Sequence, residues 1–125
     1  MNIAISLGHN SSAVAIDNNG NVLCGYEQER FDRIKSSSFF PKDALNEIFK
    51  HVKPEESEDI NFYVSHWYNN FNFIKDHIDI YPKHWDWEYF SNLNKIYPKN
   101  KINFYSLSEE FTHHDAHAYS AKAFY

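Results

Sequence analysis

The stretch Ile3-Ala4-Ile5-Ser6-Leu7-Gly8-His9-Asn10-Ser11-Ser12-Ala13-Val14-Ala15-Ile16-Asp17-Asn18-Asn19-Gly20-Asn21, continuing through Val22 to Glu27, decides the fold class. Ile3, Ile5 and Leu7 alternate with Asn2, Ala4 and Ser6, the two-residue period of a half-buried strand. After Gly8-His9-Asn10-Ser11, the run from Ser12 to Asp17 is small and apolar, carrying Ala13, Val14, Ala15 and Ile16. Asn18-Asn19-Gly20-Asn21 signals a turn, because Asn and Gly tolerate positive φ. Val22 to Glu27 reads as a third strand. Three short strands with tight connections predict an antiparallel meander.

Glu27 to Ser38 is charged and reads as irregular, ending in three serines. Phe40-Pro41 then introduces a helix. Pro41 suits the first turn, and Ala44, Leu45, Ile48 and Phe49 fall at helical spacing. That helix is expected to reach about His51 and to end before Pro54. Ile60 to Ser65 predicts a fourth strand. Residues 66 to 100 form an aromatic-rich segment, with a short helix expected from Trp85 to Asn94. Ile102 to Leu107 predicts a fifth strand, and Thr112 to Tyr125 a helix rich in alanine. The pattern is that of an α/β chain in which a β-meander is followed by helices.

Composition narrows the function. The 125 residues fit one ordinary domain. A net charge of −5 argues against a phosphate-backbone binder, so no nucleic-acid partner is expected. The single cysteine, Cys24, excludes a disulfide framework and a multi-cysteine metal site, and its apolar strand suggests a small buried hydrophobe. No apolar run approaches the roughly 20 residues of a membrane helix. No basic leader follows Met1, so a cytoplasmic location is expected. There are only three glycines, Gly8, Gly20 and Gly25. A nucleotide site usually takes several glycine-bearing turns, so any nucleotide chemistry here is expected to need other segments.

Three motifs can carry chemistry. In His113-His114-Asp115-Ala116-His117-Ala118, His113 and His117 stand four apart and share a helix face that can hold one metal ion. A third ligand must come from elsewhere, and a capped polar helix start explains the same residues. The turn Gly8-His9-Asn10-Ser11-Ser12-Ala13 offers N–H and hydroxyl donors, with His9 able to act as a general base, or it is simply a well-formed turn. In Glu27-Gln28-Glu29-Arg30-Phe31-Asp32-Arg33-Ile34-Lys35, Arg33 and Lys35 can clamp an anion or belong to a solvated charged loop. The aromatic stretch from His66 to Phe90 suits core packing or a subunit contact, or a planar ligand.

Taken in order, these motifs resemble the nodulation-type O-carbamoyltransferases. Ile3 to Ala13 is similar to that family's first strand and its His-Asp-Ser-Ser-Ala-like turn. Glu27 to Lys35 resembles its Gln-Glu-Glu-Arg-Phe-x-Arg-x-Lys segment, and Phe40-Pro41 the Phe-Pro that follows. His113 to Ala121 is similar to its His-His-x-Ala-His-Ala-x-Ser-Ala signature. The likeness spans both ends of the chain; residues 66–100 fall outside it as a family-variable insert.

The resemblance implies an actin/sugar-kinase/Hsp70-like (RNase H-like) N-terminal subdomain, here as a fragment or split subunit spanning 1–125. It implies that His113 and His117 bind a divalent metal, iron or zinc. His114 would lie beside the carbamoyl group or its phosphate, and His9 would face the acceptor hydroxyl as general base. Arg33, Lys35, Ser11 and Ser12 would bind substrate. Carbamoyl phosphate and ATP would give carbamoyl adenylate, whose carbamoyl group passes to a hydroxyl of a small molecule. Asn10 departs from the family's Asp, and the chain is far shorter than family members, so the remaining partner is expected to be the rest of the enzyme or a second subunit. Alternative readings are a threonylcarbamoyl transferase acting on tRNA, a non-catalytic metal-binding module and a phosphotransferase of the same fold.

Overall fold

The computed structural model of the chain describes residues 1–8, 10–35, 37, 39–66 and 85–106. The meander is present: β1 (Asn2–Leu7), β2 (Ser12–Ile16) and β3 (Val22–Glu27). β4 (Ile60–His66) and β5 (Ile102–Ser106) complete a five-stranded mixed sheet in the order β3-β2-β1-β4-β5. β2 is antiparallel to both β1 and β3, whereas β1, β4 and β5 run parallel. The molecule is therefore mixed α/β. Among the described residues, no helix is long and apolar enough to cross a membrane.

The connection from β2 to β3 explains itself chemically. Gly20 takes φ +84, which a side chain would resist. The Asp17 carboxylate accepts from Asn19 N (2.9 Å), Asn21 N (2.8 Å) and Asn21 Nδ2 (3.1 Å), so one side chain closes the turn. The Asn-Gly signal located this turn correctly, and Asp17 supplies its acceptor.

The stretch expected to be irregular holds one helical turn, α1 (Glu29–Asp32). Gln28 O accepts from Phe31 N and Asp32 N, and Arg33 at φ +61 ends the turn by donating to Glu29 O. The dense charge hid this turn from a periodicity argument, because four residues carry no repeat to detect. α2 (Lys42–His51) begins one residue after Pro41, and α3 (Trp87–Ile96) starts and ends slightly later than anticipated.

Register builds the core. Ile3 pairs with Ala15 and Phe62, and Ile5 with Ala13 and Val64, so these side chains share one face. The small alanines of β2 leave room for α2, whose Ala44, Leu45 and Ile48 are fully buried. Over β4 and β5 the filling is aromatic. Trp85 stacks on Phe90 at 5.0 Å and meets Phe40 edge-on at 5.3 Å, while Phe62 stacks on Phe104 at 5.6 Å. Each such buried ring or branched chain contributes roughly 1.5–3 kcal/mol relative to exposure. Much of the described aromatic content is thus core, as packing preferences suggested.

The second face of the sheet departs from the reading of β1 as half-buried. At the carboxyl end of β1 both faces are buried: Ser6 is 3% exposed and Leu7 0%. Val14, on the second face of β2, is 1% exposed.

Candidate functional site

The carboxyl ends of β1 and β4, the β1–β2 turn and the segment 28–40 meet at one edge of the sheet. Gly8 at φ +99 and Asn10 at φ +57 reverse the chain there. Ser11 then ties the turn to its neighbour. Its N–H donates to Ser37 O (2.9 Å), its carbonyl accepts from Gln28 N (2.9 Å), and its hydroxyl donates to Phe39 O (2.6 Å). With its donors so engaged and 0% exposed, Ser11 holds Ser37 and Phe39 against the turn.

Gln28 continues the tie into α2. Pro41 occupies the N-cap position and makes no side-chain cap. Gln28 caps instead: its Oε1 accepts from Asp43 N (3.1 Å) and Ala44 N (3.3 Å), and its Nε2 donates to Asp43 Oδ2 (2.7 Å). A helix start left with unsatisfied N–H groups would otherwise be costly. Sequence reasoning missed this role of Gln28; the available signal was a helix opening on Phe-Pro without a capping side chain. Asp32 folds the next turn, accepting from Ile34 N (2.9 Å) and from the Ser37 hydroxyl (2.5 Å).

Arg33 and Lys35 sit on this same loop and are exposed, with no ion pair among the described residues. A cleft of about 330 Å³ lies beneath the loop, walled by Phe39, Phe40 and Ile34, with Asp32, Asp43, Asp86 and Lys42 around it. Its polar groups are largely spent within the fold: Asp32 and Asp43 as described, and Asp86 as cap of α3 through Glu88 N (3.0 Å).

Ser12 is buried at 1% exposure and pairs with Ser6 across β1 and β2. Ser6 in turn pairs with Ser65 of β4. Cys24 is half-buried opposite Ala15, less enclosed than anticipated, and burial pushes its thiol pKa up. A thiol so shifted is a poor nucleophile. Tyr89 and Tyr26 are pushed up for the same reason, burial of the hydroxyl.

His9, His113, His114 and His117 lie outside the described residues, as does the expected helix from Thr112. Among the described residues no group of three or more potential metal ligands comes together. The described fold brings together the Ser11, Ser12, Arg33 and Lys35 segments at one edge, but Arg33 and Lys35 do not line the cleft. No protein-family model, curated protein or solved structure matches the chain.

Proposed function

We propose that the chain forms the N-terminal, actin/Hsp70-like part of an O-carbamoyltransferase. One observation carries the reading beyond the motifs. β1, β4 and β5 are parallel, so their carboxyl ends share an edge. β1 leaves that edge into the turn that holds His9, and β5 leaves it seven residues before His113. The strands that precede these two motifs in sequence, more than a hundred residues apart, thus end on one side of the sheet. A meander that opens the sheet, followed by parallel strands and helices, is also what the resemblance calls for.

In this proposal water in the complete enzyme cleaves carbamoyl phosphate to carbamate and phosphate, and the carbamate oxygen then attacks the α-phosphorus of ATP, giving carbamoyl adenylate as pyrophosphate leaves. The hydroxyl oxygen of a small molecule then attacks the carbamoyl carbon and AMP leaves. His9 takes the hydroxyl proton, a task suited to a group that titrates near neutrality. His114 lies beside the carbamoyl group. His113 and His117 hold iron or zinc, which supplies Lewis-acid polarisation of an adjacent oxygen when bound. Arg33 and Lys35 stand on an exposed loop where they can meet an anionic substrate group without first breaking an ion pair. Adenosine binding and a further metal ligand come from the remainder of the enzyme or a second subunit.

The test is metal loading. In the complete enzyme, His113→Ala and His117→Ala should each abolish stoichiometric iron or zinc, measured by elemental analysis. Unchanged metal content in both variants would remove the assignment. This chain alone should release no pyrophosphate from ATP and carbamoyl phosphate.

A further inference from the structure

Ser6 and Ser65, on the second sheet face, have hydrogen-bonding capacity that the described residues do not use. Ser6 and Ser65 are 3% and 2% exposed, and neither hydroxyl has a hydrogen-bond partner among the described residues. They are register partners on the parallel strands β1 and β4, one residue before each strand ends. Adjacent strands lie about 4.8 Å apart, so the two hydroxyls neighbour each other without bonding. Buried polar groups are normally paired, and exceptions call for a reason.

Their place in the topology supplies one. Successive strands run outward from β1 to β3 on one side and from β4 to β5 on the other. The order therefore reverses between β1 and β4. In open α/β sheets, ligands bind at the carboxyl ends of the strands where the order reverses.

The row also limits the ligand. By register it runs Glu27, Ser12, Ser6, Ser65. It contains no lysine or arginine, and a carboxylate stands at its β3 end. Within the row an anion would meet a like charge and no counter-charge. A serine hydroxyl donates one hydrogen bond and accepts others. The complement is a small uncharged group that also does both. We propose that Ser6 and Ser65 form a subsite for a carboxamide-type group, with C=O toward one hydroxyl and NH₂ toward the other. Assigning that group to a carbamoyl donor rests on the transferase reading above; the subsite itself does not.

The full chain, labelled for amide NMR, is titrated with acetamide, carbamoyl phosphate and inorganic phosphate. The Ser6, Leu7 and Ser65 amides should shift saturably with the first two and not with phosphate. Ser6→Ala and Ser65→Ala should each weaken acetamide binding about tenfold or more and leave Tm unchanged or raised. Three results would overturn the subsite: no saturable shift at these amides, an equal response to phosphate, or variants that lose Tm while binding as before. The transferase reading fails separately. An acetamide response in a complete enzyme that transfers no carbamoyl group keeps the subsite and removes the reading. Transfer with an unchanged KM for carbamoyl phosphate in both variants does the reverse.

Discussion

Two polar rows cross the same sheet face and behave in opposite ways. At the amino end of β1, Asn61 Nδ2 donates to Asn2 Oδ1 (3.1 Å) and Asn103 Nδ2 donates to Asn61 Oδ1 (2.9 Å). The outer members find further partners, Asn18 for Asn2 and Asp59 for Asn103. At the carboxyl end, the Ser6 and Ser65 hydroxyls have no partner among the described residues. An amide is long enough to reach along a row and can donate and accept at once. A serine hydroxyl is too short to do this across strands. The first row strengthens the sheet; the second keeps its capacity for something else.

The largest expected effect comes from loosening the frame that holds the carboxyl edge in place. Gln28→Ala orphans Asp43 N and Ala44 N, and it should cost about 2–3 kcal/mol in denaturant unfolding. A loss below about 0.5 kcal/mol would mean that the hairpin and α2 are not tied through Gln28. Asn61→Ala comes next. It breaks the middle of the amide ladder and should cost about 1 kcal/mol, since the site is only half-buried.

Ser6→Ala and Ser65→Ala should reverse that sign. Each removes a buried hydroxyl with no partner among the described residues, so each should stabilise by up to about 1 kcal/mol. If the serine variants lost as much as Asn61→Ala, the two rows would be alike and the comparison would break.

The smallest effect is a pH dependence at the amino end. The N–H of Asn21, foremost, with those of Asn19 and Gly20, holds the Asp17 carboxyl below its ordinary value of 3.8. A depressed folded value means a contribution present above the unfolded value and lost as pH falls through the folded one. Wild type should therefore exceed Asp17→Asn in Tm at neutral pH, and the gap should close below about pH 4. A gap constant down to pH 2 would show that the charge is not what closes the turn.

Much of the frame was legible in the residues. Alternation and Asn-Gly located the meander, and the Pro41 signal located α2, because both are local patterns. α1 was not legible, since one turn has no period. The buried second face at Ser6 was not legible either. Alternation tells which residues share a face; what covers that face is a tertiary matter. The same limit applies to the site. Ser11 looked like a donor to ligand, yet its donors serve Ser37 and Phe39, residues whose approach no local rule foretells. Ser65 stood in an ordinary strand until register placed it beside Ser6.

The most direct measurement follows pyrophosphate and AMP in the first turnover of the complete enzyme, with ATP, carbamoyl phosphate and a hydroxyl acceptor. The account predicts pyrophosphate release that requires carbamoyl phosphate. It predicts that His9→Ala spares this release but slows AMP formation by about 10²–10⁴-fold, the contribution of a general base. Pyrophosphate release indifferent to carbamoyl phosphate, or AMP formation unchanged in His9→Ala, would contradict it.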